Sequence, residues 1–314
     1  MASDALLRIG SRASRLALVQ AEQVKRALED AHPELGEVGA LKIVPIETSG
    51  DERRDVPLDE IGGKGLFTKE LEAALLDRRI DLAVHSAKDM ESWLPPGLLL
   101  AATLPREDPR DVLIAASARS LGELPRGARV GTSSPRRAAQ LLLARPDLVI
   151  VPLRGNVETR LRKLAEGAAD ATLLARAGLS RLGLLERAGG AVLPVEAMLP
   201  AAGQGIVAIE CRADDGRTRQ YLEPINDGEA WSELTCERAL LAALGGSCRT
   251  PIAALARHLG EGRLKLDALL VKPDGSDARR TRRIGAPEDA ALMGADAGLA
   301  LREAAGPAFF ETEA

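Results

Sequence analysis

The chain has 314 residues, too many for one small core, so two or three domains are expected. A hydrophobic fraction of 46% can fill large cores, but aromatic residues make up only 2%, so those cores are built from Leu, Ala, Val and Ile and offer almost no platform for stacking bases. The formal charge of -4 argues against a polyanion binder working through its net field.

No basic segment followed by an apolar run opens the chain, so no secretory signal is read, and no apolar stretch approaches the roughly 20 residues of a membrane span. Cys211, Cys236 and Cys248 lack CxxC spacing, and His32, His85 and His258 are scattered. These residues point to a reducing, cytoplasmic setting without a disulfide framework or a metal centre.

In chain order, "ALLRIG" (5–10) reads as a strand, followed by a helix with apolar Ala17, Ala21, Val24 and Leu28 on one side. "LKIVPIET" (41–48) is a second strand. The stretch from Ser49 to Gly65 has little apolar periodicity, and a connection that long is usually functional. "LFTKELEAALLDRR" reads as an amphipathic helix and "IDLAVHS" as a buried strand, an alternation that implies an α/β unit with mainly parallel pairing. A second unit repeats the pattern: strand "ARVGT" (128–132), then a helix with Ser134 as N-cap and Pro135 in its first turn; strand "LVIVPL", then a helix capped by Asn156; strand "ATLLA", then "RAGLSRLGL". "MLPAAGQGIVAIECR" adds a glycine-rich turn and a strand that could rejoin the first sheet. From about residue 224 the pattern changes to a helix, "EAWSELTCERALLAAL", then three short strands joined by "GEG" and "PDGS" turns that favour hairpins, and a last helix near Pro287.

Cations and hydroxyls gather where strands end and helices begin, in "TSSPRR", "LRGN" and "ARAG", with Arg12 and Ser14 after the first strand and Lys88 after "AVHS". Ligands of α/β sheets bind outside the carboxyl ends of strands, and helix N-termini favour anions. The pattern therefore suits a ligand with several carboxylates or phosphates; the plainer reading of any single arginine is a solvated helix face. Arg279, Arg280, Arg282 and Arg283 read as a charged edge strand. "GGKG" lacks P-loop spacing, and "GQGIVA" lacks the third glycine of a dinucleotide fingerprint. Asp89 reads either as a carboxylate that stabilises a developing cation or as a surface cap. Cys248, in "LGGSCRTP", reads either as a reachable thiolate beside Arg249 or as an inert small apolar residue.

Nine segments in register, among them "RIGSRASRLALVQA", "GGKGLFTKELE", "DLAVHSAKD", "REDPRD", "GTSSPRR", "LRGNVETRL", "LPAAGQGIVAIECR" and "ERALLAALGGSCRTPI", resemble the porphobilinogen deaminase (hydroxymethylbilane synthase) family over nearly the whole chain. The resemblance implies an α/β fold of two type II periplasmic-binding-protein-like lobes and a small C-terminal α+β domain with an antiparallel sheet. It implies domains at residues 1–104 with 200–223, 105–199, and 224–314. It implies a monomeric cytoplasmic transferase of tetrapyrrole (haem) biosynthesis that joins four porphobilinogen units head to tail, with loss of ammonia and no metal, membrane or nucleic-acid partner. It also implies a dipyrromethane cofactor held by a thioether to Cys248, a catalytic Asp89, and a cofactor- and substrate-binding set of Arg12, Ser14, Lys88, Thr132, Ser133, Ser134, Arg136, Arg137, Arg154, Gly155, Asn156, Arg160, Arg181 and Gln204. Residues 49–65, with Asp51 and Lys64, are similar to the family's covering loop, and Phe67 lies just past it. "KDMESWLPPG" and Pro135 depart from the usual family pattern. A thioether suits the first role, since a soft thiolate captures an electrophilic methylene and the thioether so formed resists later hydrolysis. A binding-protein-like sensor and a nucleic-acid binder are the competing classes; the first lacks a signal peptide or DNA-binding helix pair, the second aromatics and positive charge.

Overall fold

A computed structural model describes residues 6–49, 67–245 and 250–309. Cys248, Asp51, Lys64 and all of the covering loop but Ser49 lie outside the described residues. The chain divides into two compact units. The first takes in described residues 6–49, 67–107 and 206–231; the second takes in 108–205 and the described residues from Ser232 onward.

The first unit opens with β1 (Leu7–Arg12), α1 (Arg15–Ala31), β2 (Leu41–Ile46), α2 (Lys69–Leu76), β3 (Leu82–Ser86) and β4 (Leu98–Thr103). Ser14 caps α1 by accepting from the Ala17 backbone N–H, and Ala17, Ala21, Val24 and Leu28 are its buried face, as the spacing requires. The second unit begins with β5 (Asp111–Ala115), β6 (Arg129–Gly131), α3 (Pro135–Ala144), β7 (Val149–Val151), α4 (Val157–Ala165), β8 (Ala171–Ala175), α5 (Arg176–Arg181), α6 (Leu185–Ala188) and β9 (Ala191–Val192). Ser134 and Asn156 cap α3 and α4 as expected, and Pro135 occupies the first turn of α3. The chain then returns to the first unit as β10 (Val207–Arg212) and α7 (Gly216–Leu222). It continues through α8 (Gly228–Leu244), β11 (Ile252–Gly260), β12 (Arg263–Val271), β13 (Ala278–Gly285) and α9 (Ala290–Ala305).

The first sheet has the order β2-β1-β3-β10-β4, and one sheet of the second unit has the order β7-β6-β8-β5-β9. The two are wound alike. In each, three parallel strands are followed by one antiparallel to them, β10 beside β3 and β5 beside β8, and the edge strand beyond it is antiparallel to that one. Mainly parallel pairing was the expectation from the alternating elements; the structure corrects it to mixed sheets, because one strand in each runs back through the middle. Strands β4 and β5 were not read from the sequence. Runs such as "LLLAAT" are short and continuously apolar, which leaves their period undefined.

Each sheet rests on its own core. Leu7, Ile9, Val84 and Ile209 pack with Val24 and Leu28 of α1, and Ala83 packs with Leu71 and Leu75 of α2 on the opposite face. In the second unit Leu113, Val130, Leu173 and Leu141 form the α/β core. The antiparallel sheet β11-β12-β13 has a core of its own with α8 and α9, through Leu240, Leu264, Leu266, Met293, Ala297 and Leu301. Its other face, through Ala253, Leu255 and Leu269, meets Ala139 of α3.

Candidate active site

In the first unit β3 ends at Ser86 and runs into a 3-10 turn, Ala87–Asp89. That turn is fixed by Ala87, whose N–H donates to the Ile206 carbonyl at 3.0 Å. Asp89 is half-buried and lines a cavity together with Arg12, Ser14, Gln20, Phe67, Thr68, His85 and Ser86. The Arg12 guanidinium lies over the Phe67 ring, 4.2 Å from its centroid, a cation–π contact at the edge of the described segment. Lys88, between Ala87 and Asp89, is half-buried in the same turn. The Gln20 side-chain amide donates to Ser86 Oγ at 2.8 Å. On the other face of β3, His85 Nε2 lies 3.0 Å from Glu210 Oε2, with both side chains buried. Glu72 of α2 stands close enough that Glu210 adds to its shift; burial is the main cause that pushes the Glu72 carboxyl up. Gln20, His85 and Glu210 escaped the sequence reading, since partners 66 and 125 residues apart leave no local signal.

In the second unit Thr132 to Arg137 and Arg154 to Arg160 follow the carboxyl ends of β6 and β7, Arg181 ends α5 after β8, and Gln204 lies between β9 and β10. The Ser134 N–H donates to Thr132 Oγ1 at 3.1 Å, and Ser134 Oγ accepts from Arg137 N at 3.4 Å. Gly155 has φ +121, and a Cβ there would come within 2.6 Å of the Thr159 side chain, so the "RGN" turn needs glycine. Asn156 Oδ1 accepts from Thr159 N at 2.8 Å, and Arg160 Nε donates back to the Gly155 carbonyl at 2.8 Å. Arg181 Nη2 donates to the Gly205 carbonyl at 2.8 Å. Ser133 Oγ and Arg154 Nη1 are buried without a hydrogen-bond partner among the described residues.

Arg136 and Arg137, expected to bind the cofactor and substrate, meet a carboxylate of the protein itself. Both are buried on Asp111, the first residue of β5. Arg136 Nη2 and Arg137 Nη2 each lie 2.8 Å from one of its oxygens, and Arg137 Nε adds a third bond. Gln204 Nε2 donates to the same carboxylate at 2.8 Å and to the Pro109 carbonyl at 2.6 Å. The remaining guanidinium bonds go to the Leu199 and Leu173 carbonyls. Burial opposes the Asp111 charge, but the two guanidiniums outweigh it and hold the carboxyl well below the usual carboxylate range. A carboxylate opening β5 brings the opposite charge to the first turn of α3, and two buried arginines close on it. "REDPRD" carries this acid in the sequence, yet only the pairing of β5 with β8 shows what it meets.

Cys211 and Cys236 are buried, and burial pushes their thiols up to about 11 and about 12. Both are protonated and inert at neutral pH. Among the described residues no cluster of His, Cys, Asp or Glu could hold a metal ion, and no helix is long and apolar enough to cross a membrane.

Two mixed sheets of one winding, with hydroxyls and cations at their strand ends and a half-buried carboxylate facing a cavity in one of them, define a ligand-binding α/β protein with an added antiparallel domain. Residues 7–220 match the family model "Porphobilinogen deaminase, dipyromethane cofactor binding domain", and residues 231–303 match the porphobilinogen deaminase C-terminal domain. The chain belongs to the porphobilinogen deaminase family, transferases of tetrapyrrole biosynthesis that carry a dipyrromethane cofactor. It is 52% identical to a porphobilinogen deaminase of Nitrobacter winogradskyi, covering 98% of this chain and 96% of that one. It is 51% identical to that of Paracoccus denitrificans (97% and 96%) and 50% identical to a chloroplastic one of rice, Oryza sativa subsp. japonica (99% and 87%). Among solved structures it is similar to a periplasmic substrate-binding protein of an ABC transporter from Coxiella burnetii (TM-score 0.42, 17% identity, 72% of this chain and 94% of that one). A nutrient binding protein from Burkholderia cenocepacia bound to methionine is also similar (TM-score 0.40, 16%, 69% and 90%).

Proposed function

We propose that the protein joins four porphobilinogen molecules head to tail, with loss of one ammonia per addition, to give linear hydroxymethylbilane, and that Cys248 holds its dipyrromethane by a thioether. The observation that carries this reading is Asp89, a half-buried carboxylate lining one cavity with Arg12 and Ser14. When ammonia leaves porphobilinogen, the C–N bond breaks, its electron pair goes with nitrogen, and positive charge spreads over the pyrrole ring. A carboxylate already in place stabilises that charge and accepts the pyrrole N–H, and partial removal from water strengthens both effects.

The second unit suits a short chain of carboxylated pyrroles. Each ring brings two carboxylates, and the buried Ser133 Oγ and Arg154 Nη1 are donors that a carboxylate would satisfy. The N-termini of α3 and α4, capped by Ser134 and Asn156, add positive potential. Thr132, Gly155, Arg160, Arg181 and Gln204 shape these strand ends, while Arg136 and Arg137 act through Asp111 as the frame beneath them. Lys88 and Phe67 serve the substrate in the first unit, with Asp51 and Lys64 in the loop that precedes Phe67. When bound, dipyrromethane supplies the free pyrrole carbon to which the first substrate is joined. The two inert thiols support Cys248 as its anchor. We read three domains, 1–104 with 200–223, 105–199 and 224–314, the last supported by the core that its sheet builds with α8 and α9. The enzyme works as a cytoplasmic monomer without metal or nucleic acid.

Intact mass spectrometry with peptide mapping tests the assignment. The purified protein should exceed its sequence mass by a covalent adduct on the fragment bearing Cys248. Cys248→Ala should fold, lack the adduct and show no turnover, while Cys236→Ala keeps the adduct. An adduct on Cys211 or Cys236, or full turnover without one, overturns it.

A further inference from the structure

The His85–Glu210 pair is a buried ionisable contact that the reaction above does not use. It lies on the α2 face of β3. Ala208 and Glu210 of β10 are paired with His85 and Ala83, so His85 and Glu210 are diagonal neighbours on one face of the ladder. Ser86 points the other way, toward α1, where it exchanges hydrogen bonds with Gln20 at 2.8 and 3.1 Å. The last two residues of β3 are thus tied by polar side chains on both faces of the sheet. Immediately after them the Ala87 N–H bonds to the Ile206 carbonyl, and the turn ends at Asp89.

Such an arrangement is costly for packing alone. A buried carboxylate and imidazole lose their hydration, and apolar side chains of similar volume would fill the space between β3, β10 and α2 at less cost. Two directional bonds on opposite faces do what apolar contacts do poorly: they fix the strand end along and across the sheet. Both His85 and Ser86 also line the cavity that Asp89 lines, so any shift of the strand end is a shift of the cavity wall.

We propose that His85 with Glu210, and Ser86 with Gln20, form a two-sided clamp on the end of β3 that positions Asp89, so that His85 and Glu210 are positioning residues of the reaction. This rests on the catalytic reading of Asp89. Misplacing a reacting group by about 1 Å can cost about 10²-fold in rate. A loosened clamp should therefore lower kcat and leave substrate affinity nearly unchanged.

The experiment uses enzyme confirmed by mass to carry its adduct, assayed for porphobilinogen consumption and in single turnover. His85→Ala and Glu210→Ala should each lower kcat by about 10-fold to 10²-fold with KM within about twofold. Glu210→Gln, whose amide oxygen still accepts from the ring N–H, should recover most of kcat even if its melting temperature falls. In the Asp89→Asn background His85→Ala should add no further loss, because it acts through Asp89. Should the alanine variants fail to fold, Ser86→Ala removes the other side of the clamp without stranding a buried charge, and should lower kcat about fivefold or more at unchanged KM. Normal kcat in folded, adduct-bearing His85→Ala or Ser86→Ala overturns the proposal. So does a Glu210→Gln enzyme as slow as Glu210→Ala, or a loss that multiplies with that of Asp89→Asn. Failure of the catalytic reading itself is seen separately, as normal single turnover in Asp89→Asn alone.

Discussion

Asp89 follows the last residue of β3, and Asp111 is paired with Ala175, the last residue of β8. Both carboxylates therefore stand at the carboxyl edge of the third strand in two sheets wound alike. Asp111 has lost all contact with water, and its oxygens accept from two arginines and a glutamine. Asp89 is half-buried and borders a cavity. The difference separates two uses of one charge. A carboxylate whose acceptor sites are filled by protein donors is a structural joint; one held at a cavity wall is available to a substrate that becomes positive.

The sharpest way to break the comparison is to neutralise each acid without changing its shape. Asp111→Asn leaves two buried guanidiniums without a counter-charge and should destabilise the protein by about 3–5 kcal/mol, read by denaturant unfolding at neutral pH. A loss under about 1 kcal/mol would mean that water or relaxation replaces the pair. The pH dependence has a defined sign. The folded carboxyl titrates below its unfolded value, so the unfolded state binds the proton first and the stabilisation is present above the ordinary aspartate range. The gap between wild type and Asp111→Asn should stay constant down to about pH 4 and narrow only below it.

Asp89→Asn should do the opposite. Single turnover of adduct-bearing enzyme should fall by about 10² or more, while the unfolding midpoint barely moves. Equal loss of stability in both variants would erase the distinction between them. The smallest effect belongs to an exposed aspartate–arginine contact on the antiparallel sheet β11-β12-β13. Arg282 bonds Asp267 at 2.6 Å, but its side chain is 65% exposed. Arg282→Ala should change stability by less than about 0.5 kcal/mol, and a larger change would show that the edge strand depends on its charges.

Local chemistry was legible in the sequence. Ser134 with Pro135, and Asn156, announced two helix starts, and the four apolar positions of α1 gave its buried face. The "GEG" and "PDGS" turns marked the hairpins β11-β12 and β12-β13. The strand-end residues of the candidate site were visible because helix caps and phosphate-like turns have short signatures. What Arg136 and Arg137 touch was hidden, since Asp111 lies 25 and 26 residues away and meets them only through strand pairing. His85 with Glu210 is the same case at greater range. Residue types fixed by neighbours in sequence can be read; partners chosen by topology need the fold.

The return of β10 to the first sheet also sets an order of events in time. It lies between β3 and β4, so the two earlier strands cannot become neighbours through it until Val207–Arg212 has been synthesised. Roughly a hundred residues separate β4 from β10, several seconds of ribosomal elongation or more. During that interval the nascent first sheet is missing its interior strand, and by its end β5 through β9 have all been synthesised. The later-encoded sheet thus has all its strands available before the earlier one does. The Asp89 turn, which hangs on the Ile206 carbonyl, is among the last parts of the first unit to be set.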